Sequence, residues 1–227
     1  MLWPLLGILV AAAIFGPTLW VRWVMNHYGG DDPTIAGTGG ELAEHLAKRF
    51  DIEVSIEETA LGDHYDPGER VVRLTASNFH GRSLTAIAVA THEMGHAVQH
   101  HLNDKRLAAR TRLAPVVVTV ARVSSGLMSA APVFGLLLQH PVPFTLLAAV
   151  GLSGLIARAL LHAVTLPTEW DASFGKALPI LIKGRYIKPE DEAAVRRVLR
   201  AAALTYVAAA LADVLNLFRW AAMLRRR

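Results

Sequence analysis

The chain contains no cysteine. That absence removes disulfides, thiolate metal sites and thiol nucleophiles together, so any metal must be held through nitrogen and oxygen. Charge is scarce as well: 19% of the 227 residues are charged against 53% hydrophobic, and the mean hydropathy is +0.35. Such a balance argues against a purely soluble globule. Basic residues exceed acidic ones only by 23 to 19, and the surplus flanks apolar stretches, at Lys105, Arg106, Arg110 and Arg112 and at Arg225 to Arg227. It reads as a membrane-topology signal, with no nucleic-acid partner implied. Repeats and low-complexity tracts are lacking. The N-terminal apolar run has no basic segment before it and Arg22 after it, the pattern of an uncleaved anchor, although Ala11-Ala12-Ala13 could mimic a cleavage site.

What is present is strongly patterned. No Asp, Glu, Lys or Arg occurs from Met1 to Val21, only Arg122 interrupts Leu113 to Ala157, and only Asp213 interrupts Ala201 to Phe218. These lengths predict a mainly α membrane protein with about three transmembrane helices. One is an N-terminal anchor over 1–26 and two form a hairpin over 113–166. The stretch 201–227 is expected to be a hydrophobic helix with a basic tail, packed on the domain or lying at the interface. Soluble structure is left to 27–112 and to a connector over 167–200. Within 27–112, Leu42, Leu46, Ala47 and Phe50 recur at helical spacing, and Ile52, Val54 and Ile56 alternate with polar residues as in a strand. A Pro67-Gly68 turn leads into Val71-Val72-Arg73-Leu74, which predicts a short antiparallel sheet in a small α+β domain.

Ser83 can cap a helix running to about His101, and on it stands His92-Glu93-Met94-Gly95-His96, the H-E-x-x-H pattern. Residues four apart share a helix face, so both imidazoles can reach one zinc ion (Zn2+) while Glu93 lies beside a metal-activated water. With ten histidines and ten glutamates in the chain, chance predicts roughly 0.02 occurrences. Catalytic zinc needs a third protein ligand. His100 is carried about 12 Å from His92 along a straight helix axis and cannot share its ion. Glu169, following Pro167 where a helix is expected to start, is the better candidate, with His162 as its rival. The plain reading of Glu169 is an acid favoured by a helix N-terminus, and that of His162 an interfacial histidine.

The run Asp63-His64-Tyr65-Asp66-Pro67-Gly68-Glu69-Arg70-Val71-Val72-Arg73-Leu74, then His80-Gly81-Arg82-Ser83 and Ala90 to Gln99, resembles the YugP-type family of bacterial membrane zinc metallopeptidases. Leu166-Pro167-Thr168-Glu169-Trp170-Asp171-Ala172-Ser173 and Ala202 to Ala208 resemble two further stretches of it. The resemblance implies a zincin-like domain with a gluzincin-like site: His92, His96 and Glu169 as ligands and Glu93 as base. Better-known gluzincins carry an Asp one helical turn after the ligand Glu. Here that position is Ser173, which leaves Asp171 and Ser173 as alternative partners for the zinc histidines.

The expected chemistry is hydrolysis of a protein or peptide bond by metal-activated water, with Glu93 moving the proton. Tyr206, His64 and Tyr65 are candidate oxyanion donors. Val71 to Leu74 is either a substrate-binding edge strand or an ordinary core strand. The basic residues around the apolar segments predict an integral protein of the bacterial inner membrane with its catalytic domain in the cytoplasm. The alternatives are a non-catalytic membrane scaffold with a structural zinc, which would not need Glu93, and hydrolysis of a non-peptide amide.

Overall fold

The computed structural model describes residues 2–138 and 141–225, with side chains at 12, 15–127, 129–130, 133, 146–147, 149–205, 207 and 209–211. Two compact units divide the chain: one holds Met1–Gly16, Ala109–Thr165 and Tyr206–Arg227, the other Pro17–Ala108 and Leu166–Thr205. The H-E-x-x-H residues and Glu169 all fall in the second unit.

Helix α1 (Leu2–His27) contributes its C-terminal turns to that second unit, where Val21 and Val24 are buried in the core. Helix α2 (Gly39–Arg49) starts at a capping box: the Thr38 hydroxyl accepts the Glu41 N–H at 3.2 Å, and Glu41 accepts the Thr38 N–H at 2.8 Å. It buries Leu42, Ala43, Leu46 and Ala47. Strands β1 (Ser55–Thr59), β2 (His64–Asp66) and β3 (Val71–Thr75) follow, then the short α3 (Ala76–Phe79).

The sheet order is β1-β3-β2, with β1 parallel and β2 antiparallel to β3. The expected antiparallel sheet is therefore mixed. The hairpin through Pro67-Gly68 forms as its residues dictate, with Asp66 Oδ1 accepting the Gly68 and Glu69 N–H groups. Because β2 takes one edge of β3, β1 is left the other, and it begins only at Ser55, opposite Val71. Ile52 and Val54 pack on the core as their alternation predicts but lie before the ladder.

Val71, Val72, Arg73 and Leu74 thus form the central strand, paired on both sides. The edge-strand reading is overturned, because β3 already has a strand on each flank and offers no free edge to a substrate. Val71, Val72 and Leu74 are buried, and Arg73 is held by Glu57, Asp66 and Glu69.

Helix α4 (Leu84–His101) begins at Ser83, whose hydroxyl accepts the Ala86 N–H. Fourteen of its eighteen residues are buried, so it is a core helix enclosed on nearly every face. Helices α5 (Lys105–Leu138) and α6 (Pro141–Trp170) follow. Pro167 lies inside α6, not before a helix, and the chain runs on through a π-helical stretch, Asp171–Ala177, into α7 (Leu178–Lys183). Glu169 is therefore a mid-helix residue, contrary to the helix-start expectation. After a 3-10 turn at Pro189–Asp191, α8 (Glu192–Arg225) runs unbroken across the boundary expected near 200.

The expectation of about three transmembrane helices is also corrected. Among the described residues one helix, Ala149–Lys183, is long and apolar enough to cross a membrane. Uncharged length does not distinguish a span from a core element, and the end of the first apolar run is core: Val24 is fully buried.

Helix α4 meets the π-helical stretch at Gly95, where a Cβ would lie 2.7 Å from the Ala172 carbonyl oxygen. Gly95→Ala should cost about 1–3 kcal/mol by overpacking. Gly30→Ala, where a Cβ meets nothing within 4 Å, serves as the control. Denaturant unfolding in detergent checks this, and equal stability of the two variants would contradict the packing account.

Candidate metal centre

Helix α4 places His92 and His96 one turn apart on the same face, with ring centroids 4.9 Å apart and the rings nearly perpendicular. The last turn of α6 brings Glu169 against them. Its Oε2 lies 3.3 Å from His92 Nε2 and 3.2 Å from His96 Nε2. All three side chains are buried, Glu169 to 1% exposure, as is Glu93 next to them on α4.

The protons decide what this cluster can do. The Ser173 hydroxyl has one hydrogen and donates it to the Leu199 carbonyl at 3.0 Å, so toward His92 Nδ1, also at 3.0 Å, it accepts. His96 Nδ1 lies 2.9 Å from Gln99 Oε1, an amide oxygen that can only accept. Each imidazole therefore carries a hydrogen on Nδ1, and in its neutral form presents the Nε2 lone pair to Glu169.

With both imidazoles neutral, two nitrogen lone pairs and a carboxylate oxygen converge in a buried space. Acceptors facing one another out of water are costly, and a cation between them removes the cost. For bonds of about 2.0–2.1 Å, the edge of a tetrahedral ligand set is roughly 3.3–3.4 Å, which the Nε2 to Oε2 separations match. Nitrogen and oxygen donors suit zinc, and the residues present fit the ion. His92, His96 and Glu169 form the one group of this kind among the described residues.

The other residues singled out in the sequence are distributed differently. Ser173 meets His92 directly, while Asp171 meets Gln99 instead of a histidine. The Tyr65 hydroxyl bonds His100 Nδ1 at 2.7 Å, and both line a cleft of about 390 Å³ with Asp51, Arg70, Ala97 and His101. Burial pushes the Tyr65 phenol above its ordinary pKa, with Arg70 opposing and Asp66 adding, so it stays protonated at neutral pH. His64 Nδ1 donates to the Gly62 carbonyl at 2.8 Å. His100 and His162 are not among the converging atoms, and the side chain of Tyr206 lies outside the described residues.

Gln99 is the functional candidate that motif reading passed over. The available signal was spacing: three residues beyond His96, on the same helix face.

Comparison with known proteins identifies the family. "Putative membrane protease YugP" of Bacillus subtilis (strain 168) is 34% identical over 225 residues, covering 95% of each chain. No solved structure matches. A family model described as "Putative neutral zinc metallopeptidase" matches residues 3–225, and with nearly its whole length so covered the chain belongs to that zinc metallopeptidase family.

Proposed function

We propose that this protein is a membrane-associated zinc endopeptidase, with the ion held by His92, His96 and Glu169 and with Glu93 as the general base. The observation that carries the reading is the convergence of three buried ligand atoms within 4.8 Å of one another, with Glu169 Oε2 3.2–3.3 Å from both imidazole Nε2 atoms.

Zinc bound there would acidify a water and polarise the scissile carbonyl. The protein supplies the rest. Ser173 and Gln99 hold the two imidazoles through Nδ1, with Nε2 aimed inward at Glu169. Glu93, buried beside His92, takes the proton from the attacking water and returns it to the leaving amine. The buried surroundings keep competing water from the carboxylates and strengthen their interactions.

Membrane association is supported by the apolar helix Ala149–Lys183 and by side chains left bare on the first unit. Val116, Val118, Val120 and Val123 are exposed on α5, as are Ile156, Leu160 and Val164 on α6. Apolar surface on this scale marks a lipid or protein contact. The substrate class that fits is protein or peptide chain at the bilayer surface. The basic residues after α4, Lys105, Arg106, Arg110 and Arg112, favour a cytoplasmic catalytic domain in the bacterial inner membrane.

Glu93→Gln should keep one equivalent of zinc and lose cleavage of a peptide substrate by about 10²–10⁴-fold, the usual worth of general acid–base catalysis. Comparable turnover would sink the mechanism, and an inactive wild type with tightly held zinc would favour a scaffold. Glu169→Ala should lose zinc during purification, measured by elemental analysis, whereas His100→Ala should retain it. A reporter fused near Gly37 should be active only as a cytoplasmic fusion, and activity confined to the outside would reverse the topology.

A further inference from the structure

We propose that Gln99 is a positioning residue that sets the tautomer and ring orientation of His96, with Asp171 and the Thr168 carbonyl holding its amide in place. The proposal rests on the metal-site reading above and extends it to how the site is kept ready for the ion.

Gln99 is 1% exposed, so water does not compete for its amide. Its Nε2 lies 2.9 Å from the Thr168 carbonyl oxygen and 2.8 Å from Asp171 Oδ2. Both partners are acceptors, and together they use both N–H groups of the amide. Flipping the amide would set its oxygen against a carbonyl and a carboxylate, so the flip is fixed by the network. Oε1 is then compelled to face His96 Nδ1, which must carry the hydrogen. The chain of constraint runs from Asp171, two residues beyond Glu169, through a neutral amide to the second histidine.

The π-helical stretch makes this possible. Lys176, five residues beyond Asp171, reaches it at 3.1 Å, the spacing that a π turn brings onto one face. The lysine compensates the charge of Asp171 across both oxygens, Oδ1 at 3.3 Å and Oδ2 at 3.1 Å, and Oδ2 also accepts from Gln99. Gly175 leaves the space, since a Cβ there would come 2.2 Å from Asp171 Oδ1. His92 is handled from the same stretch by Ser173. Neither histidine thus touches a carboxylate through Nδ1. The acid acts one residue removed.

The test compares Gln99→Met, Gln99→Glu, Asp171→Asn and the double variant Gln99→Glu with Asp171→Asn in the full-length protein in detergent. Zinc affinity is read by competition with a chelator, and the His96 tautomer by nitrogen-15 shifts in metal-free protein. Gln99→Met keeps the shape but offers no acceptor. It should weaken zinc binding 10–100-fold and mix the His96 tautomers. Gln99→Glu places a second carboxylate against Asp171 and the Thr168 carbonyl and should also weaken binding. Asp171→Asn should be close to wild type, because the amide oxygen it introduces still accepts from Gln99. In the double variant the new amide at position 171 can donate to the new carboxylate at position 99, and most of the affinity should return.

Wild-type affinity with a single Nδ1–H tautomer in Gln99→Met would overturn the proposal. So would a double variant no better than Gln99→Glu. A purely structural role predicts no such recovery, because the double variant carries more change than either parent. The tautomer is read without metal. A wild type that binds no zinc would therefore count against the metal site while the relay is still judged on its own.

Discussion

Helix α4 can approach the helix that carries Glu169 only because residue 95 has no side chain. The Gly95 backbone sits against the Ala172 carbonyl, and that one contact sets the distance between the H-E-x-x-H face and every group that completes it. Glu169 lies three residues before Ala172 and Ser173 one after. Both are therefore delivered to the histidines by the same packing event. The π turns that begin at Asp171 widen the helix there and bring Lys176 back to Asp171 while Ser173 reaches His92. Metal ligands on two elements are useful only if the elements cannot slide, and close backbone contact between small residues supplies that stiffness.

The arrangement also shows why so much polar chemistry can be tolerated in a core. His92, His96, Glu93, Glu169, Gln99 and Ser173 are all buried on or beside a helix otherwise lined with Ala, Val and Met. Each imidazole Nδ1 has an acceptor, and each of those acceptors has its own anchor, which places a hydrogen on both Nδ1 atoms. The inward-facing lone pairs of the two imidazoles and the carboxylate then point at one another. A cation held there would relieve that arrangement and so couple metal binding to the stability of the second unit.

How much was legible in the sequence depended on how local the signal was. His92, Glu93 and His96 declare themselves because i, i+4 spacing is a property of one helix. Ser83 and Thr38 announce their helices by the same local logic. Glu169 is picked out by its place after Pro167 and by resemblance, but the helix start expected at that proline does not exist, since the helix passes through it. Strand β3 reads as a strand, but its central place depends on which partners it finds, and no period within Val71 to Leu74 encodes that. The number of membrane spans failed for a similar reason: Val21 and Val24 look lipid-facing in sequence and are core in the fold. Gln99 escaped notice because an amide three residues past a ligand has no motif, only a consequence.

The central claim is that one zinc ion is held by two imidazoles and one carboxylate. X-ray absorption at the zinc edge of purified protein tests it directly. The account predicts two imidazole scattering paths and light oxygen or nitrogen neighbours at about 2.0–2.2 Å, in one stoichiometric site. A spectrum requiring three imidazoles, or zinc bound without any, would contradict it.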